Sequence, residues 1–316
     1  MIISESSMFI PKVSVIVPNY NHAPYLRLRL DSIFNQTFQD FEIIILDDCS
    51  TDNSKEVIEE YRNRPQVSHV LYNKTNSGSP FKQWAKGFDL AKGEYIWLAE
   101  SDDWSELNFL EEMIPILKEH KDISYAFCNS YIEDGTSNPP LSRDSFSVTK
   151  KINGKEMINS HLRWRCNVYN ASSVLFRKES LFNISKEYQS YTSSGDYLFW
   201  ILLSEVGNVF YNYQILNHHR IHNTNISIQC NKSGQAYIED FSIYKYLQKN
   251  NYYSFYEKHV IILERISIIR SRLKSSPNDK KIMYAYSLYK KEIFSEILSK
   301  VFVKAILFFW KFFQKQ

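Results

Sequence analysis

The chain has 316 residues, 44% apolar and 23% charged, which fits a folded globular protein and excludes a disordered, collagen-like or multi-span membrane chain. Its 38 basic and 35 acidic side chains leave a net charge of +3, too near neutral for a dedicated nucleic-acid binder, so no nucleic-acid partner is expected. Aromatics reach 16%, and only 8 glycines are present, which leaves little for Gly-rich phosphate loops.

Strand and helix signals alternate over the first third. Val13 to Val17 reads as a strand ending at Pro18, and a helix follows over about 24–35. Phe41 to Leu46 is a second apolar strand, stopped by Asp47 and Asp48. Asp52 or Asn53 can cap a helix that runs to Tyr61. Val67 to Tyr72 predicts a third strand, and Pro80 to Lys92 a helix stopped by Gly93 as its C-cap. Glu94 to Ala99 predicts a fourth strand, Glu106 to His120 a helix, and Ile123 to Cys128 a further strand. Continuous apolar strands between amphipathic helices imply an α/β fold, with a mostly parallel sheet covered on both faces. Farther on, Ser172 to Phe176 reads as a strand and Asp196 to Glu205 as a helix; beyond about Ile228 the chain reads as helical.

The cysteines Cys49, Cys128, Cys166 and Cys230 form no closely spaced pair, which argues against a zinc ribbon or a disulfide framework. The first ten residues lack the basic start and apolar stretch of a signal peptide, so the cytoplasm is the expected compartment.

Ligands of open parallel sheets bind at the carboxyl ends of strands. Three polar clusters fall there: Pro18 to Asn21, Asp47 to Asp52, and Glu100 to Trp104. Converging carboxylates repel one another unless a cation lies between them. Oxygen ligands suit Mg²⁺ or Mn²⁺, which also bind substrate phosphates. Neither G-x-G-x-x-G nor G-x-x-x-x-G-K-[ST] occurs, against a dinucleotide dehydrogenase or a P-loop NTPase. The bland alternative for Asp103 is a helix cap, since Asp103 to Glu106 has the form of a capping box.

Residues 13–21, 45–54 and 91–103 together resemble the strand-end motifs of family 2 glycosyltransferases, in that family's order. The resemblance implies the GT-A fold, a Rossmann-like sheet that binds a nucleotide-diphospho-sugar, here with a helical C-terminal extension. By the same resemblance Pro18 and Tyr20 match the base-contacting turn, and Asp48 the carboxylate that reads the base. Ser101 stands at the first position of the family's D-x-D site, so Asp102 matches the ribose-side acid and Asp103 the metal ligand. Lys82 lies where the family often has a basic residue near the nucleotide, although Gly87 comes one residue late for the usual pattern. Asp196, in a Gly-Asp segment at a helix start, matches the base that takes the acceptor hydroxyl's proton, and a helix cap is its alternative role. His222 matches the family's closing segment, completing the metal or diphosphate site. The expected organisation is a tail over 1–10, a glycosyltransferase domain over 11–228 with its nucleotide-sugar half at 11–104 and acceptor half at 105–228, and a helical region over 229–316.

The resemblance implies an inverting, metal-dependent transferase using a UDP-sugar with Mn²⁺ or Mg²⁺, its acceptor a lipid-linked glycan of a bacterial surface polysaccharide. A soluble or protein acceptor, or an inactive nucleotide-sugar binding module, are the alternatives. The charge is segregated: residues 251–316 carry 13 basic and 5 acidic side chains, and residues 1–250 carry 25 and 30. On a helix of 3.6 residues per turn, Lys300, Lys304, Lys311 and Lys315 share an arc of about 60°. With six aromatics in the last 17 residues, this segment fits a helix lying in the inner face of the cell membrane. Packing on the catalytic domain or on a second protomer is the alternative, which leaves a homo-oligomer open. Deleting residues 296–316 is expected to move the protein from the membrane to the soluble fraction on cell fractionation; an unchanged distribution refutes the anchor.

Overall fold

The computed structural model describes residues 10–135, 141–143 (backbone only) and 146–294. The basic helix expected over 296–316 lies outside the described residues. The chain divides into two compact units, 1–225 and 226–316.

The first unit contains a ten-stranded sheet: β1 (Val13–Asn19), β2 (Phe41–Asp47), β3 (Val67–Tyr72), β4 (Tyr95–Leu98), β5 (Trp104–Ser105), β6 (Ile123–Glu133), β7 (Leu141–Arg143), β8 (Lys150–Ile152), β9 (Val174–Arg177) and β10 (Asn208–Arg220). Its helices are α1 (Ala23–Phe34), α2 (Ser54–Tyr61), α3 (Pro80–Leu90), α4 (Phe109–Glu119), α5 (Gly154–Met157) and α6 (Gly195–Val206). The main strand order is β3-β2-β1-β4-β9-β6-β10-β5, with β7 on β6 and β8 on β10. The first four strands are parallel, as expected. Beyond them the sheet is mixed, because β9 runs antiparallel between β4 and β6 while β6 and β10 pair in parallel. In register, Asn19 at the end of β1 faces Asp47 at the end of β2. The polar turns therefore begin at one edge of the sheet.

Every residue of β1, β2 and β4 is buried, as strands covered on both faces require. On one face Val13, Val15 and Val17 join Leu26, Leu30 and Ile33 of α1, Val57 and Ile58 of α2, and Met113 of α4. The other face is aromatic: Trp84 and Phe88 of α3, Phe176 of β9, and Phe199 and Trp200 of α6 meet with ring centroids 5.1–6.4 Å apart. Much of the aromatic surplus is thus core, Trp200 included.

Two expected helix boundaries are corrected. Glu106 does not start a helix: residues 104–105 form a short strand against β10, and α4 starts at Phe109. Asp103 is therefore no helix cap. Helix α3 ends at Leu90 with Ala91 extended, so Gly93 is not its C-cap. Gly93 is instead held against β1, where its N–H donates to Ser14 Oγ at 2.8 Å.

The second unit comprises α7 (Ile226–Lys232), α8 (Gln235–Lys249), α9 (Phe255–Ser275) and a helix over 280–294. A capping box formed by Ser254 and Glu257 starts α9. The buried side chains of this second unit include Ile243, Leu247, Ile262, Ile269 and Tyr289. No described helix is long and apolar enough to cross a membrane.

A Cβ on Gly93 would lie 2.5 Å from the Ser14 amide nitrogen and 2.6 Å from the Val13 carbonyl carbon, and neither backbone atom can yield without shifting β1. Gly93→Ala is expected to cost about 1–3 kcal/mol, read as a lower urea midpoint. Unchanged stability would contradict the close approach.

Candidate active site at the strand ends

The turns after β1 and β2 are clamped to each other. Asn19 Nδ2 donates to Asp47 Oδ2 at 2.8 Å, and Asp47 Oδ1 accepts from the Ser50 amide at 2.9 Å. Ser50 Oγ accepts from the Asn21 amide, and Asn21 Oδ1 from the Thr51 amide. Asp52 receives the amides of Ala23 and Ser54, tying the starts of α1 and α2 together. Asp47 and Asp52 are thus occupied in holding the turns.

Asp48 is buried at the end of β2. Its carboxylate accepts from Asn73 Nδ2 at 2.6 Å, Gln83 Nε2 at 2.8 Å, the Ser77 amide at 2.9 Å and Ser77 Oγ at 2.7 Å. It thereby orders the loop between β3 and α3. Lys82 is exposed on α3, with Nζ donating to Ser77 O at 2.9 Å. Pro18 is buried within β1, and Tyr20 just past it is 41% exposed.

The two adjacent aspartates after β4 face different partners. Asp103 is fully buried and accepts from Asn170 Nδ2 at 2.8 Å, Ser172 Oγ at 2.7 Å and the Arg220 amide at 3.0 Å. Asp102 faces the histidines. Its Oδ2 lies 3.0 Å from His222 Nε2 and accepts from Asn225 Nδ2 at 3.0 Å. His22, in the turn before α1, was not singled out by the sequence. Its Nδ1 lies 2.8 Å from Ser101 Oγ, and its ring is 5.5 Å from that of His222. One ligand atom from each of His22, Asp102 and His222 falls within 4.8 Å of the others.

Electrostatics follow from burial. Desolvation and the charge of Asp102 push Asp103 above the usual carboxylate range. Burial would also raise Asp102, but the hydrogen bond from His222 and the neighbouring His22 outweigh it and hold Asp102 low. Burial lowers His22. Glu100 is pushed up to about 8 by burial and by Asp102, although Trp84 Nε1 donates to it at 2.8 Å. Below them lies Arg29, fully buried, its guanidinium 5.0 Å from the Trp97 ring centre. None of its nitrogens finds a hydrogen-bond partner among the described residues. Desolvation lowers it to about 10, so it stays charged at neutral pH and offsets Asp103, Glu100 and Asp102. Two imidazoles and a carboxylate in reach of one another, beside a second carboxylate that burial drives toward protonation, are a donor set that fits a divalent ion.

Asp196 stands in the first turn of α6, half-buried; the N-cap position itself belongs to Ser194. Gly195 precedes it because a Cβ there would meet the Phe81 ring at 2.6 Å. Ser79 Oγ donates to Tyr191 O at 2.5 Å, tying the segment before α6 to the start of α3. His218, given no role from the sequence, stacks on Trp104 and contacts Glu106 and Glu133. A signal for His22 existed in the sequence: an imidazole in the same turn as Tyr20, at a strand's carboxyl end.

A family model described as Glycosyl transferase family 2 matches residues 14–183. The poly(ribitol-phosphate) beta-N-acetylglucosaminyltransferase TarS of Staphylococcus aureus strain Mu50 is 37% identical over 111 residues, covering 34% of this chain and 19% of that protein. Glycosyltransferase GlyG of Streptococcus pneumoniae serotype 4 is 37% identical over 122 residues, covering 39% of this chain and 40% of that one. The chain thus spans less than half the length of these two relatives. Among solved structures, S. aureus TarS 1-349 in complex with UDP-GlcNAc superposes with a TM-score of 0.56 at 22% identity, over 68% of this chain and 60% of that one. A mannosyltransferase of Pyrobaculum calidifontis in complex with GDP-Man and Mn²⁺ gives 0.52 at 12% identity, over 95% and 81%. These likenesses bear out the GT-A fold. With its acidic strand-end turns in the expected order and the match covering more than half of the chain, this protein belongs to glycosyl transferase family 2.

Proposed function

We propose that the chain transfers a sugar from a UDP-activated donor to a glycan-type acceptor of the bacterial envelope, with inversion at the anomeric carbon. The observation that carries this is the convergence of Asp48, Asp102 and the two imidazoles at one sheet edge, with a carboxylate, Asp196, at a helix start fastened to α3. The likeness to a poly(ribitol-phosphate) N-acetylglucosaminyltransferase supports an N-acetylhexosamine donor and a polymer acceptor.

The exposed ring of Tyr20 offers a stacking face to uracil, and the buried Pro18 holds the turn that carries it. Asp48 already uses its acceptor capacity on four donors, so a base N–H must displace one of them. The Ser77 hydroxyl is the donor that can rotate away. Asp102 holds the ribose side or the ion, and Lys82 swings from Ser77 O to the nucleotide. A bound divalent ion would neutralise charge on the departing diphosphate. Asp103 fixes the acidic turn from behind, and His222 faces the diphosphate. Asp196 accepts the proton of the attacking hydroxyl, and one displacement from the opposite face inverts the configuration.

A panel of UDP-sugars with Mn²⁺ is expected to give slow UDP release. Asp196→Asn should lower that rate about 10²–10⁴-fold while leaving UDP affinity near the parent value. UDP-sugar binding without release by the parent would make the chain a binding module, and full activity in Asp196→Asn would remove that residue from the proposal.

A further inference from the structure

We infer that the open edge of β10 between β8 and β5 carries a subsite for a neutral pyranose of a glycan chain, with Tyr213 as its platform. It rests on the proposed function only for what the bound sugar would be, a unit of the acceptor.

The edge is open by construction. Strand β6 pairs with one side of β10 from Asn208 to Arg220. On the other side β8 pairs with Val209 to Tyr211, and β5 with Asn217 and His218. Residues 212–216 between them have no strand on that side among the described residues. Register shifts on both sides of Ile215 bend β10 there. Buried amides fix the bend: Asn212 Oδ1 accepts from the Gln214 amide at 3.0 Å, and Asn129 Nδ2 donates to Tyr213 O at 2.9 Å. Thr149 Oγ1 accepts from the Tyr213 amide at 2.9 Å. Both backbone groups of Tyr213 are thus held while its side chain stands 53% exposed, a preorganised stacking surface.

The groove beside that ring holds matching polar groups. Tyr213, Gln214, Asn129, Glu106 and Asn108 line a space of about 500 Å³, within the ~300–1,000 Å³ of ligand pockets. Asn108 stands at the N-cap position of α4, yet its side chain makes no capping hydrogen bond, the usual task of an asparagine there. Its amide is left for the groove. One oxygen of Glu106 lies 2.8 Å from His218 Nε2, and the other can still accept from a hydroxyl.

The composition selects the ligand. Glu106 is the one charged side chain on the groove among the described residues, so an anion meets repulsion and no cation. A peptide strand is disfavoured, because the register shifts break the ladder it would extend. A pyranose offers an apolar C–H face to an aromatic ring and a rim of hydroxyls that donate and accept, which the amides and the carboxylate can meet. Glu106 lies three residues beyond Asp103, at most about 11 Å of chain, so a glycan of a few units seated here can reach the acidic turn.

The test uses the full chain without nucleotide or metal, so its failure leaves the donor reading standing. Saturation-transfer NMR with cellotetraose, mannotetraose and chitotetraose is expected to show saturable binding of at least one. Tyr213→Ala should weaken that binding about two- to tenfold, and Tyr213→Phe should retain it. Asn108→Ala should weaken it about twofold or more, which keeps the test decisive if Tyr213→Ala disturbs the bend. Tyr256→Ala, at an exposed tyrosine of α9, should bind as the parent does. Saturable binding of none of the three sugars, or parent-like binding by either Tyr213→Ala or Asn108→Ala, overturns the inference.

Discussion

The site depends on charge balance at the end of β4. Four consecutive residues, Glu100 to Asp103, bring three carboxyl groups to a place where water scarcely reaches. An ionised carboxylate loses several kcal/mol when it is taken from water without compensation. The compensation comes from every direction. Arg29 lies below on α1, while Arg220 closes the turn with a contact to Asp102 O at 2.5 Å and lies 4.7 Å from the Tyr25 ring. His22 and His222 face Asp102 from the open side. Glu100 takes the remaining route and holds its proton. Arg29 is the costly part, since a buried guanidinium without hydrogen bonds is tolerated only where its field is needed.

This balance explains the mixed topology. A purely parallel sheet would end its contribution to the site at β1, β2 and β4. The antiparallel entry of β9 brings the turn at 170–173 to the carboxyl end of β4, so that Asn170 and Ser172 reach Asp103. The parallel pairing of β10 with β6 carries Arg220, and then His222 and Asn225, to the same edge. Segments from residues 170–225 thus complete a cluster that the turns after β1 and β4 begin.

What was legible in the sequence follows from the kind of signal. The first four strands were readable because burial on both faces makes them continuous apolar runs. Strand β10 was not: Asn212, Gln214, Asn217 and His218 interrupt its apolar residues, and register shifts near Asn212 and Ile215 break any period of two. Asp48, Asp102, Asp103 and His222 could be picked out as polar residues at strand ends or in a familiar segment. Which of Asp102 and Asp103 faces the open side could not, because neighbours in a turn point apart and only tertiary donors decide the matter. Arg29 was missed because it reads as a helix surface charge until the fold buries it, and His22 because only the fold brings Ser101 and His222 beside its turn.

The scarcity of glycine takes on a physical meaning at the two clamped turns. Asn21 has φ of 57° and Cys49 has φ of 66°, the left-handed region that glycine would fill without strain. A side chain there costs about 1–2 kcal/mol. The hydrogen bonds from Asn21 to Ser50 and Thr51, with those of Asp47 around Ser50, offset that cost and leave the turns stiff. A Gly-rich loop would wrap a diphosphate with mobile backbone amides. Here the turns are clamped by their own side chains, and imidazoles stand beside Asp102 at the same edge. A fold without a flexible phosphate loop therefore arranges its strand-end turns through side chains, and the acidic ones among them depend on the buried charge of Arg29.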